Sequence, residues 1–135
     1  MSSRKIIRVK DVMKTGFDLV DGLQNVSEAL KCVEYPETKC LLVKKRDEND
    51  EFGIVTYADI AKQVLAKDRA ADRVNIYEIM NKPVLSVDPH MDIRYCARMF
   101  ENFGLARAPV LEHGQIIGIV GYTDLVLHGL MHQLK

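Results

Sequence analysis

Two short stretches carry the residue types from which a polar binding corner can be built. Gly53-Ile54-Val55-Thr56-Tyr57-Ala58-Asp59 returns near the end of the chain as Gly118-Ile119-Val120-Gly121-Tyr122-Thr123-Asp124. In each, a glycine and two β-branched residues read as the end of a buried strand. A polar corner follows, and an aspartate then falls on the first turn of an amphipathic helix. The unpaired N–H groups and partial positive charge of a helix start favour a phosphate. An aspartate one turn in is an acceptor for a pair of sugar hydroxyls. The competing reading is that Asp59 and Asp124 only complement the helix dipole; the repetition in register weighs against it. Tyr57 and Tyr122 hold matching positions, where an aromatic ring either stacks on a base or packs between the two halves.

The elements that must position these corners repeat as well. Val9–Met13 reads as a short helical turn and Phe17–Val20 as a strand. A helix follows over Ser27–Tyr35, capped by Asn25 or Ser27 and stopped by Pro36. Cys40–Val43 is a continuous apolar run suited to a strand covered on both faces. Residues 44–51 form a charged hairpin loop, Phe52–Val55 the returning strand, and Asp59–Lys67 a helix with Ile60, Val64 and Leu65 inward. After a charged linker at 68–73 the order returns: a turn at 76–80, a strand at 83–87, and a helix at 92–103 closed by Gly104 in the left-handed conformation. The strand Ala108–Leu111, the turn His113-Gly114, the returning strand 115–120 and a helix from Asp124 to Leu134 complete it. Met13 and Met80, Val20 and Val87, and Val43 and Val110 are each 67 residues apart, whereas Gly53 and Gly118, and Asp59 and Asp124, are 65 apart. The difference falls in the shorter second hairpin, where a structural duplication tolerates it. The expectation is an α/β (α+β) fold of two β-α-β-β-α repeats, 1–70 and 71–135, together one module. The repeats would be related by a pseudo-two-fold axis with their sheets packed against each other, since either alone buries too little apolar surface.

Other chemistries find little support. Lys plus Arg and Asp plus Glu number 19 each, a balance that disfavours a phosphate-neutralising nucleic-acid surface and leaves self-association unopposed. No apolar run approaches the length that spans a bilayer, and no signal-type segment follows Met1. Cys32, Cys40 and Cys96, without C-x-x-C spacing, read as reduced core cysteines of a cytoplasmic protein. His128 and His132 stand at i, i+4 spacing but lack a third ligand in sequence, so no metal site is expected. His90 and His113 sit in turns. No nucleophile elbow, P-loop or H-E-x-x-H is present, and the chain is not expected to be an enzyme.

Val-x-Asp-Val-Met at 9–13, Leu-Val at 19–20, Leu-Leu-Val at 41–43 and Gly-Ile-Val-Thr-x-x-Asp-Ile at 53–60 resemble the cystathionine-β-synthase-type (CBS) domain. Ile79-Met80, Ser86-Val87, Ala108-Pro109-Val110 and Gly118-Ile119-Val120-x-x-x-Asp124-Leu125 repeat the pattern, so the resemblance is to a tandem pair over about residues 9–127. It implies a regulatory module binding AMP, ADP, ATP, NAD or S-adenosylmethionine, with no cofactor required. By the same resemblance Asp59 and Asp124 hold ribose hydroxyls, and Thr56 and Arg107 lie near phosphate. The segments Lys82-Pro83-Val84 and Gly16-Phe17 meet the adenine edge.

The copies differ at one informative place. Gly121 stands where the first has Thr56, Thr123 is displaced by two residues, and Cys40 answers Arg107. One occupied nucleotide site is therefore expected, not two. A homodimer, with Leu65 and Leu127-Leu130-Met131 as candidate contacts, and an unidentified effector protein are the expected partners. The alternative is a ligand-free scaffold that only dimerises.

Overall fold

The computed structural model describes residues 5–134; the first four residues of the basic lead-in and Lys135 lie outside it. Two compact units form, and they do not follow the repeat order in sequence. One contains residues 17–84; the other joins residues up to Gly16 to residues 85 onward. Each repeat's leading helical turn thus belongs with the other repeat's strands.

In the contiguous unit, β1 (Leu19–Val20) runs parallel to β2 (Cys40–Val43), which is antiparallel to β3 (Gly53–Thr56). All four residues of β2 are buried, as its unbroken apolar run requires. Helix α2 (Val26–Lys31) starts at Asn25, whose Oδ1 accepts from Glu28 N–H at 2.8 Å while Glu28 Oε1 accepts from Asn25 N–H at 3.0 Å. The helix is shorter than the periodicity suggests because a 3-10 turn, Pro36–Thr38, takes over the approach to β2. Asp18 fixes that approach, its carboxylate accepting from Glu34 and Tyr35 N–H at 2.9 and 3.0 Å. Helix α3 (Tyr57–Ile60) continues into a π-helical segment, Ala61–Leu65. Ile60 and Val64 point into the core with Leu41, Val43, Val55 and Ile76, but Leu65, expected inward, is exposed. The wider π turn carries Leu65 off the buried stripe set by Ile60 and Val64. Helix α4 (Ile76–Ile79) closes this unit; Ile54 and Asn81 exchange backbone hydrogen bonds at 2.9 Å each.

In the other unit, α1 (Val9–Val12) precedes Lys14, which exchanges backbone hydrogen bonds with Ile119 at 2.8 and 2.9 Å, the same pairing one repeat over. Helix α5 (Ile93–Phe103) is capped by Asp92 and ended by Gly104 at φ 65°. Its Ile93, Cys96 and Phe100 meet Val9, Val12, Val110 and Val120 in the core. Strands β4 (Arg107–Glu112) and β5 (Gln115–Gly121) form an antiparallel hairpin through His113 and Gly114, both at positive φ. The strand expected at 83–87 reduces to a single parallel bridge between Val87 and Val110. Pro89 lacks the N–H a longer ladder needs, and residues 83 and 84 belong to the other unit, where Val84 N–H donates to Phe52 O. Helix α6 (Tyr122–Asp124), a π-helical segment Leu125–Leu130 and α7 (Met131–Gln133) run on from β5. Cys40 and Cys96 are core residues, but Cys32, at the end of α2, is exposed. The residues that pack inward here are Val26, Ala29 and Val33, and Cys32 lies off that stripe.

Candidate functional site

Each corner is built by a strand that ends directly in a helix. In the contiguous unit Thr56 is the last residue of β3 and the N-cap of α3. Its Oγ1 accepts from Asp59 N–H at 3.0 Å, and Asp59 Oδ2 accepts from Thr56 N–H at 2.9 Å. This reciprocal box orients both side chains and satisfies two helix-start donors. Asp59 is half-buried and has no ion pair among the described residues. Cys40 pairs with Thr56 across the ladder, and Tyr57 N–H donates to Lys39 O at 3.0 Å. Burial first, and then the charge of Asp18, raise the Tyr57 hydroxyl above its ordinary pKa. Lys82, Pro83 and Val84 lie at the other end of β3, where Val84 N–H donates to Phe52 O at 2.9 Å. About 13 Å of extended strand separates Phe52, the partner of Val84, from Thr56. Lys82 forms an ion pair with Asp50, and the Lys82–Pro83 peptide is cis.

The second corner has the same backbone and different chemistry. Asp124 Oδ2 accepts from Gly121 N–H at 2.9 Å, but Gly121 returns no side-chain hydrogen bond. The other oxygen, Oδ1, forms an ion pair with Lys14 Nζ. Asp124 is only 1% exposed. Arg107 belongs to this corner: it pairs with Gly121 across β4 and β5 and has no ion pair among the described residues. The basic residue and the hydroxyl residue singled out by sequence thus lie in different corners. Tyr122 meets Phe100 edge to face, with ring centroids 5.3 Å apart. Thr123 is exposed. Gly16 follows Lys14 by two residues in this unit, and Phe17 opens the other, so the proposed adenine-edge segment 16–17 straddles the unit boundary.

Lys14 is the residue that sequence reasoning missed. Its signal was present: Lys14 and Asn81 are equivalent at the 67-residue offset, so the charge at this position is unique to one copy. Lys14 also borders a cavity of about 720 Å³ with Ile7, Val12, Met13, Leu127 and His128. His128 and His132 line it, but no group of three potential metal ligands forms among the described residues. No helix among them is long and apolar enough to cross a membrane.

Comparison with known proteins agrees with this architecture. The family model of the CBS domain matches residues 76–130. A hexameric CBS-CP12 protein from bloom-forming cyanobacteria superposes with a TM-score of 0.86 at 30% identity, covering 92% of this chain and 72% of that one. The CBS domain pair of protein MJ0100, in complex with 5′-methylthioadenosine and S-adenosyl-L-methionine, superposes with a TM-score of 0.78 at 25% identity over 97% of this chain and all of that one. An uncharacterized protein of Methanopyrus kandleri is 28% identical over 75% of this chain and 51% of its own length. A homoserine O-acetyltransferase of Methanosalsum zhilinae is 31% identical over 88% of this chain but only 23% of itself. The chain thus spans about half of one curated relative and a quarter of the other. With both repeats, their strand-to-helix corners and these likenesses in agreement, the chain belongs to the CBS domain family.

Proposed function

We propose that the chain is a regulatory module that binds one adenosine-containing ligand at the Thr56–Asp59 corner, drawn from AMP, ADP, ATP, NAD or S-adenosylmethionine. The observation that carries this reading is the contrast between corners. Asp59 is half-buried and forms no ion pair among the described residues, whereas Asp124 is paired with Lys14. The adenosine ligands held by the MJ0100 pair support the ligand class. Asp59 accepts from the ribose hydroxyls, and the Thr56 hydroxyl retains a hydrogen to donate towards an anionic group. The ligand acts by shifting the population of conformations, as far as it binds them unequally. The output passes to an effector protein or a second copy of the chain. Leu127, Leu130 and Met131, each about half exposed, offer the apolar contact for that copy. The module carries no catalysis of its own.

Thermal unfolding with each ligand tests the reading. A ligand at a hundred times its dissociation constant stabilises the fold by about 2.7 kcal/mol, which for this length raises Tm by roughly 9 °C. The rise is expected with one ligand class and is lost in Asp59→Ala. No rise with any of them would favour the dimerising scaffold.

A further inference from the structure

We infer that Lys14 is a built-in plug that keeps the Asp124 corner from taking the ligand class proposed for the Asp59 corner. This rests on that proposed reading. The two corners share a strand end, a glycine, a helix start and an aspartate at the same offset. They differ in what already holds the carboxylate. At Asp124, Gly121 N–H takes one oxygen and the Lys14 ammonium the other, and the group is 1% exposed. A diol arriving there finds both oxygens already engaged, and must compete with a cation for a largely desolvated anion. At Asp59 the position equivalent to Lys14 is Asn81, which is exposed and forms no ion pair among the described residues.

The backbone makes the equivalence strict. Lys14 and Ile119 are bonded as Asn81 and Ile54 are, so residues 14 and 81 occupy equivalent rungs, each in its own unit. The corner is closed by one side chain, not by a different fold. Lys14 is 30% exposed at its side chain while Asp124 is 2% exposed, so the lysine is the accessible member of the pair. Its removal leaves a buried carboxylate with one unmet oxygen, which hydroxyl donors can satisfy.

The exchange of residues between the two positions is the test, read by calorimetric titration with AMP and with S-adenosylmethionine. The wild type is expected to bind one ligand per chain. Lys14→Asn gives the Asp124 corner the chemistry of its counterpart and is expected to bind two. Asn81→Lys, at an exposed position, introduces the plug at Asp59 and is expected to weaken binding at least tenfold. Asn81→Lys binding as tightly as wild type, or a folded Lys14→Asn still binding one, overturns the plug. A wild type that does not bind, with a Lys14→Asn variant that does, overturns the Asp59 reading and upholds the plug. No binding by either protein overturns both.

Discussion

Replacing Gly118 by alanine tests the pairing of each leading turn with the other repeat's strands. A Cβ at Gly118 would stand 2.5 Å from the carbonyl oxygen of Lys14 and 2.8 Å from Met13 Sδ. That carbonyl accepts from Ile119 N–H at 2.9 Å, and Lys14 N–H donates to Ile119 O at 2.8 Å. The clash can be relieved only by moving the Met13–Lys14 segment, which strains or breaks two hydrogen bonds worth about 1 kcal/mol each. Local overpacking adds about 1–3 kcal/mol, and stiffening of the unfolded chain returns roughly 0.5 kcal/mol. The expected cost is about 2–4 kcal/mol, or a fall in Tm of roughly 7–14 °C. Gly53 is the internal control. Its Cβ would meet Asn81 O and Met80 Sδ at 3.2 Å each, so a few tenths of an ångström suffice. Gly129 is another: its 2.5 Å neighbour is Ile93 Cδ1, a terminal methyl that can rotate away. Gly53→Ala and Gly129→Ala should each cost under about 1 kcal/mol. Thermal unfolding followed by circular dichroism ranks the three. Equal losses at Gly118 and Gly53, or a Gly118→Ala loss below about 3 °C, would refute the reasoning.

Two further outcomes follow from the charges and thiols. Arg94 holds the Asp92 carboxyl below the usual carboxylate range, and Lys82 does the same for Asp50. A depressed folded pKa contributes stability above the unfolded value near 4, and the contribution is lost as pH falls through that range towards the folded value. Tm should therefore drop between about pH 5 and pH 3, and Asp92→Asn, which keeps a capping side chain, should flatten the drop; an unchanged slope would remove Asp92 from the account. Burial pushes the Cys96 thiol up to about 11, whereas Cys32 is exposed. An aromatic disulfide reagent at pH 8 should titrate Cys32 rapidly and Cys96 only after denaturation, and rapid labelling of Cys96 would contradict its burial.

The repeat, the order of elements and both strand-to-helix corners were legible because each rests on neighbours within a few residues. Thr56 and Asp59 are three apart, and their box follows from the local pattern alone. The partner of Asp124 was not legible in that way, since Lys14 is 110 residues distant. The corner of Arg107 became definite only with the ladder register that pairs it with Gly121. Periodicity placed Leu65 inward by assuming 3.6 residues per turn, and the π-helical segment breaks that assumption. Apolar neighbours in sequence placed Cys32 in the core, but the inward stripe is Val26, Ala29 and Val33, and Cys32 lies off it.

The exchange of leading turns bears on how the chain assembles during synthesis. The unit of residues 17–84 is continuous, so it has all its parts once residue 84 has left the ribosome. The other unit is interrupted by the whole of the first, and its early segment must wait for strands made much later. Ile7, Val9 and Val12 meanwhile remain apolar side chains without their core partners. If the continuous unit folds first, it brings residues 16 and 85 nearer than an unfolded tether would, and so lowers the entropy cost of closing the later unit. Vectorial synthesis thus gives the two halves of a symmetric sequence different folding histories.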